Sequence, residues 1–295
     1  MSVLVKNVVM KYGKNEAVHG VNMEIETGTI HGLIGENGSG KTTLIKCIMG
    51  IFKPSSGEVL VDGEGIYENP RVKARIGYVA DNNKYFPTYR LGKVAEFFQE
   101  VYEKFDMNKL KELNQIFQLD MNKRVNELSK GQQMRLAFML NIAANTEILV
   151  MDEPTSGIDA IAKKNLFNIL IKEVEERNLT VLISSHNLIE LEKICDSVTI
   201  LKNGNVIEQD GMDSVIGNVR KFNYAFKDGA PEEFLKHPKL LSFNNIGNIY
   251  TVVFEGITDE EIEEIENLKP QFCEELNVNL EDVFVYSNGG GAGEK

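Results

Sequence analysis

Four short stretches hold the residue types that phosphate chemistry needs. Gly35–Thr42, "GENGSGKT", fits GxxxxGK[ST] at every fixed position. Gly35, Gly38 and Gly40 let backbone N–H groups come close to phosphate oxygens. Lys41 can reach the β- and γ-phosphates, and the Thr42 hydroxyl can ligate Mg²⁺. A glycine-rich turn capping a helix uses similar residues, but not the whole pattern between a strand and a helix. "ILVMDEP", Ile148–Pro154, sets Asp152 and Glu153 at the end of an apolar run. Asp152 can hold Mg²⁺ through water, and Glu153 can polarise a water that attacks the γ-phosphate. His186 closes a second such run, "VLISSH". A lone histidine after a strand is commonly structural, but at the same sheet edge it can make a polar contact to the γ-phosphate. The fourth stretch is "LSKGQQMRL", Leu128–Leu136. Ser129 stands at an N-cap with Gln132 three residues on, as in a capping box. Its free N–H groups and positive dipole end make a second anion site in a chain that already has a fuller one.

These residues need a particular scaffold. "SVLVKNVVM" and "VNMEIE" have strand-like alternation, and "TIHGLIG" is a short apolar run that ends in glycine, before the loop and helix of "ENGSGKTTLIKCIMGIF". "KPSSGEVLVDG" reads as a turn and a strand. From about residue 85 to 145 the spacing is helical, as in "GKVAEFFQEVYEKF" and "QQMRLAFMLNIAAN". "EILVM" and "TVLISS" are unbroken apolar runs, the mark of strands covered on both faces of a parallel sheet. Between them "AKKNLFNILIKEVEER" is an amphipathic helix, and Asn203-Gly204 predicts a type I′ hairpin. After about Asn218 the texture changes. "KFNYAFKD" and "NIYTVVFEG" alternate as strands. Thr258 with Glu261 caps "DEEIEEIENL", and Asn279 caps "LEDVFVYS". The tail "NGGGAGEK" has nothing to bury and is expected to be disordered.

Composition narrows the classes. Of the 295 residues, 42% are hydrophobic and 26% charged, an ordinary balance with ample length for a core. The net charge is −12, of which −8 falls after residue 218. An acidic chain lacks the basic face of a general nucleic-acid or anionic-membrane binder. Cys47, Cys195 and Cys273 lie far apart with no ligand spacing, which fits reduced thiols. The N-terminal stretch has no secretory pattern, and no apolar run is long enough to span a bilayer.

As a set, the four stretches resemble the ATPase subunit of an ATP-binding-cassette (ABC) transporter from Val3 to about Ile216. Gly35–Thr43 is similar to the Walker A loop, Ile148–Glu153 to Walker B, "SGID" (Ser156–Asp159) to the D-loop, and His186 to the switch histidine. "LSKGQ" resembles the family's signature motif. Tyr12, in "MKYG", falls where the family stacks an aromatic ring on adenine.

The resemblance implies an α/β fold: a P-loop ABC ATPase domain at 1–217, with a mixed sheet and an α-helical subdomain at about 85–145. A small acidic α+β domain follows at 218–288, and a flexible tail at 289–295. It implies ATP and Mg²⁺ as cofactors, with Glu153 and His186 catalytic and Thr42 and Asp152 on the metal. Nucleotide contacts would come from Tyr12, Gly35, Asn37, Gly38, Ser39, Gly40, Lys41, Thr42, Thr43, Asp81, Ser129, Gly131 and Gln132. In this family two ATPases pack head to tail, so Ser129 and Gly131 of one face ATP on Lys41 of the other.

The implied partners are a second ATPase subunit, as a homodimer, and a separate transmembrane permease. No nucleic acid and no direct membrane span is implied, and the place is the inner face of the cell membrane, reached through the permease. "NNKYFPTYRLG" would line the groove for a permease helix, with Tyr85, Phe86 and Tyr89 as anchors. Export of a drug, lipid or peptide is favoured by analogy with the C-terminal ending "NLEDVFVY". An importer ATPase is the alternative. Ribosome-acting relatives carry two cassettes, and DNA-repair ATPases insert a long coiled coil for which the interval from Gly35 to Asp152 leaves no room.

Two departures stand out. Asp81 occupies the place of the family's loop glutamine and could meet Mg²⁺ or the attacking water, or leave that role to Asn82 or Asn83. Lys130 replaces a signature glycine, setting a cation at a helix N-terminus, which is mildly unfavourable unless an anion lies near.

Overall fold

The apolar runs fold as strands because their side chains fill both sides of a sheet. The computed structural model describes residues 2–83 and 86–287. The chain divides into two compact units. One comprises the residues up to Asn187 with Ile194–Val206; the other comprises Leu188–Lys193 and the residues from Ile207 on.

The strands of the first unit are β1 (Val3–Tyr12), β2 (Asn15–Ile25), β3 (Ile30–Ile34), β4 (Ser56–Val61), β5 (Glu64–Gly65), β6 (Ile76–Val79), β7 (Ile148–Asp152), β8 (Thr180–Ser185) and β9 (Ser197–Lys202). Its helices are α1 (Lys41–Ile48), α2 (Pro70–Lys73), α3 (Leu91–Val101), α4 (Met107–Phe117), α5 (Lys130–Ala143) and α6 (Ala160–Arg177). An antiparallel sheet has the order β2-β1-β4-β5. A parallel sheet has the order β9-β3-β8-β7-β6. Every residue of β3, β7 and β8 is buried, as unbroken apolar runs require. Leu44, Ile45 and Ile48 of α1 share one core with Val3, Val5, Leu33, Val150, Leu182 and Leu201. The helix thus packs between the sheets, and its N-terminus is fixed at the end of β3. β9 turns at Asn203 (φ 46°) and Gly204 (φ 77°), both left-handed as a type I′ pair needs, into β10 (Asn205–Gly211).

α5 is the central helix of the 85–145 segment. From Leu136 to Ala143 all its residues are buried, so it is apolar around its circumference rather than along one stripe. Asn141, 2% exposed, accepts from Tyr78 N (3.0 Å) and donates to Tyr78 O (3.2 Å), which ties α5 to the edge strand β6. α3 is shorter than its apolar spacing suggests, because Tyr102 leaves helical φ/ψ.

His31 of β3 is 1% exposed, with Nδ1 2.7 Å from Ser197 Oγ and Nε2 2.8 Å from Thr199 Oγ1. Burial pushes its pKa from 6.5 down to about 4. The unfolded chain therefore binds the proton more tightly. The contribution is fully present above pH 6.5 and is lost as pH falls from 6.5 towards 4. At about 1.4 kcal/mol per unit, roughly 2 kcal/mol should be gone at pH 5. Urea unfolding midpoints at pH 7.5 and pH 5 check this, and His31→Gln should flatten that part of the slope.

The second unit holds α7 (Leu188–Glu192), α8 (Met212–Gly217), β11 (Val219–Ala225), α9 (Glu232–Leu235), β12 (Leu240–Ile246), β13 (Ile249–Glu255), α10 (Asp259–Glu266), β14 (Phe272–Leu276) and α11 (Leu280–Ser287). Its antiparallel sheet has the order β12-β13-β11-β14 over a core that includes Phe222, Tyr224, Phe234, Phe254, Ile262 and Ile265. The Thr258–Glu261 capping box forms, and Asn279 Oδ1 accepts from Asp282 N at 2.9 Å to cap α11. Glu192 of α7 accepts from Leu280 N at 2.8 Å, which explains why Leu188–Lys193 joins this unit. The change in charge near residue 218 falls inside this unit, which takes in Leu188–Lys193 and begins again at Ile207. The strands β12 and β14 were not anticipated; both are edge strands with mixed burial, so their alternation is weak. Tyr85 and the tail 289–295 lie outside the described residues.

Candidate functional site

The strand ends set the site. β3 delivers Gly35, whose added Cβ would fall 2.4 Å from Leu201 O and Ser39 Oγ. Gly40 caps α1 at φ 107°, and a Cβ there would fall 2.6 Å from Ala17 O. Both positions therefore exclude a side chain, and the left-handed turn at Gly40 is one that glycine adopts without strain. Glu36, Asn37 and Gly38 are exposed, while Ser39 is buried and Lys41 is 7% exposed. The Lys41 ammonium donates to Gly35 O (2.7 Å) and Glu36 O (3.1 Å), folded back over its own loop. Burial lowers its pKa, and Glu153 and Asp152 oppose that shift by their charge. Tyr12, 46% exposed, sets its ring edge-on to Phe52 and its hydroxyl 3.4 Å from Thr43 Oγ1. That leaves the aromatic ring at the mouth of the loop.

The acidic pair lies directly beside it. Thr42 Oγ1 donates to Asp152 Oδ2 at 2.9 Å, and Ser184 Oγ donates to Asp152 Oδ1 at 2.6 Å. The parallel register pairs Asp152 of β7 with Ser184 of β8, so the second contact follows from the sheet. Ser184 also holds the next residue, accepting from Glu153 N at both O (3.1 Å) and Oγ (3.2 Å). Glu153 sits at φ 50°, a left-handed conformation that non-glycine residues seldom adopt and that recurs at functional sites. His186 Nδ1 is 2.7 Å from Glu153 Oε2, so an ionised carboxylate places the imidazole proton on Nδ1. Thr42, Asp152, Ser184, Glu153 and His186 thus form one hydrogen-bonded chain along the ends of β7 and β8. Ser184 was missed in the sequence; only a correct pairing of "ILVMD" with "TVLISS" would have found it.

A hard divalent cation fits this corner. The Thr42 hydroxyl and the Asp152 carboxylate are adjacent oxygen donors. Among the described residues no group of three or more His, Cys, Asp or Glu could hold a metal alone. The remaining ligands would come from water and nucleotide phosphates, as Mg²⁺ prefers.

Ser129 caps α5 as read: Gln132 N donates to Ser129 Oγ at 3.3 Å, and Ser129 N donates to Gln132 Oε1 at 3.0 Å. Ser129 is exposed and Gln132 half-buried. Gly131 has a reason within the chain: a Cβ there would fall 2.3 Å from Gly157 O. The signature-like turn therefore packs on the 156–159 loop, where Asp159 caps α6 and lies 3.4 Å from Arg135 Nη2. Asp81 does not reach the acidic pair; its Oδ1 is 2.6 Å from Lys130 Nζ. Asn83 is also committed, since it is 5% exposed and bonds Ala80 N (3.1 Å) and Ala80 O (2.5 Å). Of the three residues near the expected glutamine, Asn82 and Asp81 remain exposed.

Residues 18–156 match the family described as ABC transporter. The chain is 32% identical to the ABC transporter ATP-binding protein YtrB of Bacillus subtilis over 276 residues, 94% of each chain. It is 30% identical to the bacitracin transport ATP-binding protein BcrA of Bacillus licheniformis, over 75% of this chain and 74% of that one. A solved dimeric ATP-binding cassette in a post-hydrolysis state, bound to ADP and Pi, is similar with a TM-score of 0.65 and 26% identity, over 71% of this chain and 98% of that one.

Proposed function

The chain belongs to the ATP-binding proteins of ABC transporters, which couple ATP hydrolysis to transport, and from that premise we propose that it is half of a two-site ATPase that powers export through a separate membrane subunit. The observation that carries this reading is the hydrogen-bonded chain from Thr42 through Asp152, Ser184 and Glu153 to His186, set against the glycine-rich loop. Residues 1–217 are the ATPase domain in this proposal, and 218–288 a small accessory domain.

ATP lies with its adenine on the Tyr12 ring and its phosphates in the loop from Gly35 to Thr43, within reach of Asn37, Ser39 and Lys41. Lys41 exchanges the carbonyls of Gly35 and Glu36 for phosphate oxygens, which are stronger partners for an ammonium. Thr42, with Asp152 through water, would hold Mg²⁺, which would supply charge to neutralise the phosphates. Glu153 takes the proton of the attacking water, and His186 Nδ1 holds the carboxylate in place. Asp81 is a nucleotide-side residue only after it leaves Lys130.

The second half of the site comes from another copy. Ser129, Gly131 and Gln132 offer a capped, exposed helix N-terminus, which suits a γ-phosphate presented from outside the chain. The similarity to a dimeric cassette supports a homodimer, which we take to be head to tail. Phe86 and Tyr89 stack at 5.2 Å and are 40% and 49% exposed, with Phe97 edge-on to Phe86. An exposed aromatic cluster of this kind suits a short helix of the permease. No helix among the described residues is long and apolar enough to cross a membrane. The place we propose, on the family reading, is the cytoplasmic face, reached through the permease. The similarity to the bacitracin transport protein BcrA along three quarters of the chain supports a drug or peptide as the cargo, and export of it is the direction we propose.

Inside-out vesicles carrying the chain with its membrane subunit test the direction. ATP-dependent accumulation of a drug, lipid or peptide probe in the lumen is expected. ATP-driven loss of lumenal probe would make the system an importer. Recovery of ribosomes or DNA with the chain, and of no membrane protein, would end the transport reading.

A further inference from the structure

The two departures from the family's motifs meet each other. Lys130 Nζ lies 2.6 Å from Asp81 Oδ1 and donates to Ser156 Oγ at 3.1 Å. Its aliphatic stem runs over Gly157, where an added Cβ would sit 3.7–3.9 Å from Lys130 Cβ, Cγ and Cδ. One ammonium therefore joins three loops: the one after β6, the start of α5 and the one after β7. Each loop has its own anchor. Asn83 folds the first back on Ala80, Asn141 ties α5 to β6, and Gly131 packs on Gly157 O. The side chains of the ion pair are about half exposed, 50% and 49%. Such pairs contribute little to folding, so the fold does not depend on this one.

Lys130 is the first residue of α5, at the positive end of the helix dipole. A cation there needs an anion, and Asp81 now supplies it. The same helix end attracts phosphate, a multiply charged acceptor that binds an ammonium more strongly than one carboxylate does. We propose that Asp81 and the γ-phosphate of ATP held by a second copy compete for Lys130. Without phosphate at the α5 N-terminus, Lys130 stays on Asp81. When ATP reaches the α5 N-terminus, Lys130 turns to the phosphate and Asp81 is released. The loop bearing Asp81 leaves β6 beside β7, with Val79 opposite Met151, next to Asp152 and Glu153. ATP at one site thus frees an acidic side chain beside the other. Lys130 and Asp81 are positioning residues in this scheme, which rests on the head-to-tail reading above.

The test is a mutant cycle on the full chain carrying Glu153→Gln, with ATP-dependent dimerisation followed by light scattering. Asp81→Ala removes the competitor and should lower the ATP concentration for half-dimerisation by roughly 1.5- to 5-fold, the range for an exposed ion pair. The same change made together with Lys130→Met should produce no shift, whereas Lys130→Arg should preserve it. The shift should shrink as salt rises, which a purely structural role would not produce. Equal shifts with and without Lys130, or no shift in either, would overturn the competition and leave the dimer intact. Failure of Glu153→Gln to dimerise with ATP in every background would instead overturn the head-to-tail reading, and the competition with it.

Discussion

Glu153→Gln is expected to abolish turnover while sparing ATP binding, with kcat lowered by about 10²–10⁴-fold. The amide has the shape of the carboxylate and can still bond His186, whose Nδ1 lies 2.7 Å from Glu153 Oε2. Main-chain geometry should also survive, because Glu153 N is held by Ser184 O and Oγ whatever the side chain is. What is lost is the capacity to take a proton from water. The reduction corresponds to about 3–5 kcal/mol of transition-state stabilisation. None of the groups proposed to bind nucleotide changes: Lys41, Thr42 and Asp152 keep their contacts. ATP should therefore accumulate unhydrolysed, and the protein should double in mass when ATP is added. Phosphate release and light scattering on one preparation check both halves. Normal phosphate release from the variant would remove Glu153 from the mechanism.

The two kinds of feature in this chain differ in how far they reach along it. Local ones are legible in the residues. The glycine-rich loop, the Ser129–Gln132 and Thr258–Glu261 boxes, and the Asn203-Gly204 turn each depend on residues a few positions apart, and each forms as read. The strands β3, β7 and β8 were equally plain, since burial on both faces leaves unbroken apolar runs. Contacts set by strand register or loop packing were not. Ser184 reads as one serine among others until β8 lies beside β7. Gly131 reads as room for a phosphate, yet the atom nearest its missing Cβ is Gly157 O of the same chain. Lys130 and Asp81 look like two separate departures in sequence, and only the approach of their loops shows that they neutralise each other. β12 and β14 were lost for another reason: an edge strand with one partner need not alternate strongly.

Ser129→Arg separates the two meanings of a capped helix start. If Ser129 only caps α5, its loss should lower stability by about 1 kcal/mol and leave hydrolysis alone. Ser129→Ala measures that contribution, because it removes the Oγ that Gln132 N donates to and adds no bulk. Arginine removes the same cap and also fills the space in front of the helix with a long side chain. Charge alone is not the obstacle, since phosphate attracts a guanidinium. The obstacle is the close approach that Gly131, packed on Gly157 O, leaves no freedom to widen. The expected result is unchanged nucleotide binding to the isolated chain, no ATP-driven dimer in the Glu153→Gln background, and hydrolysis lost along with the dimer, because arginine blocks the approach that completes each site. A serine that only capped its helix would give Ser129→Arg and Ser129→Ala the same stability loss and the same near-normal turnover. A serine facing another molecule's γ-phosphate makes arginine inactive and alanine only weakened.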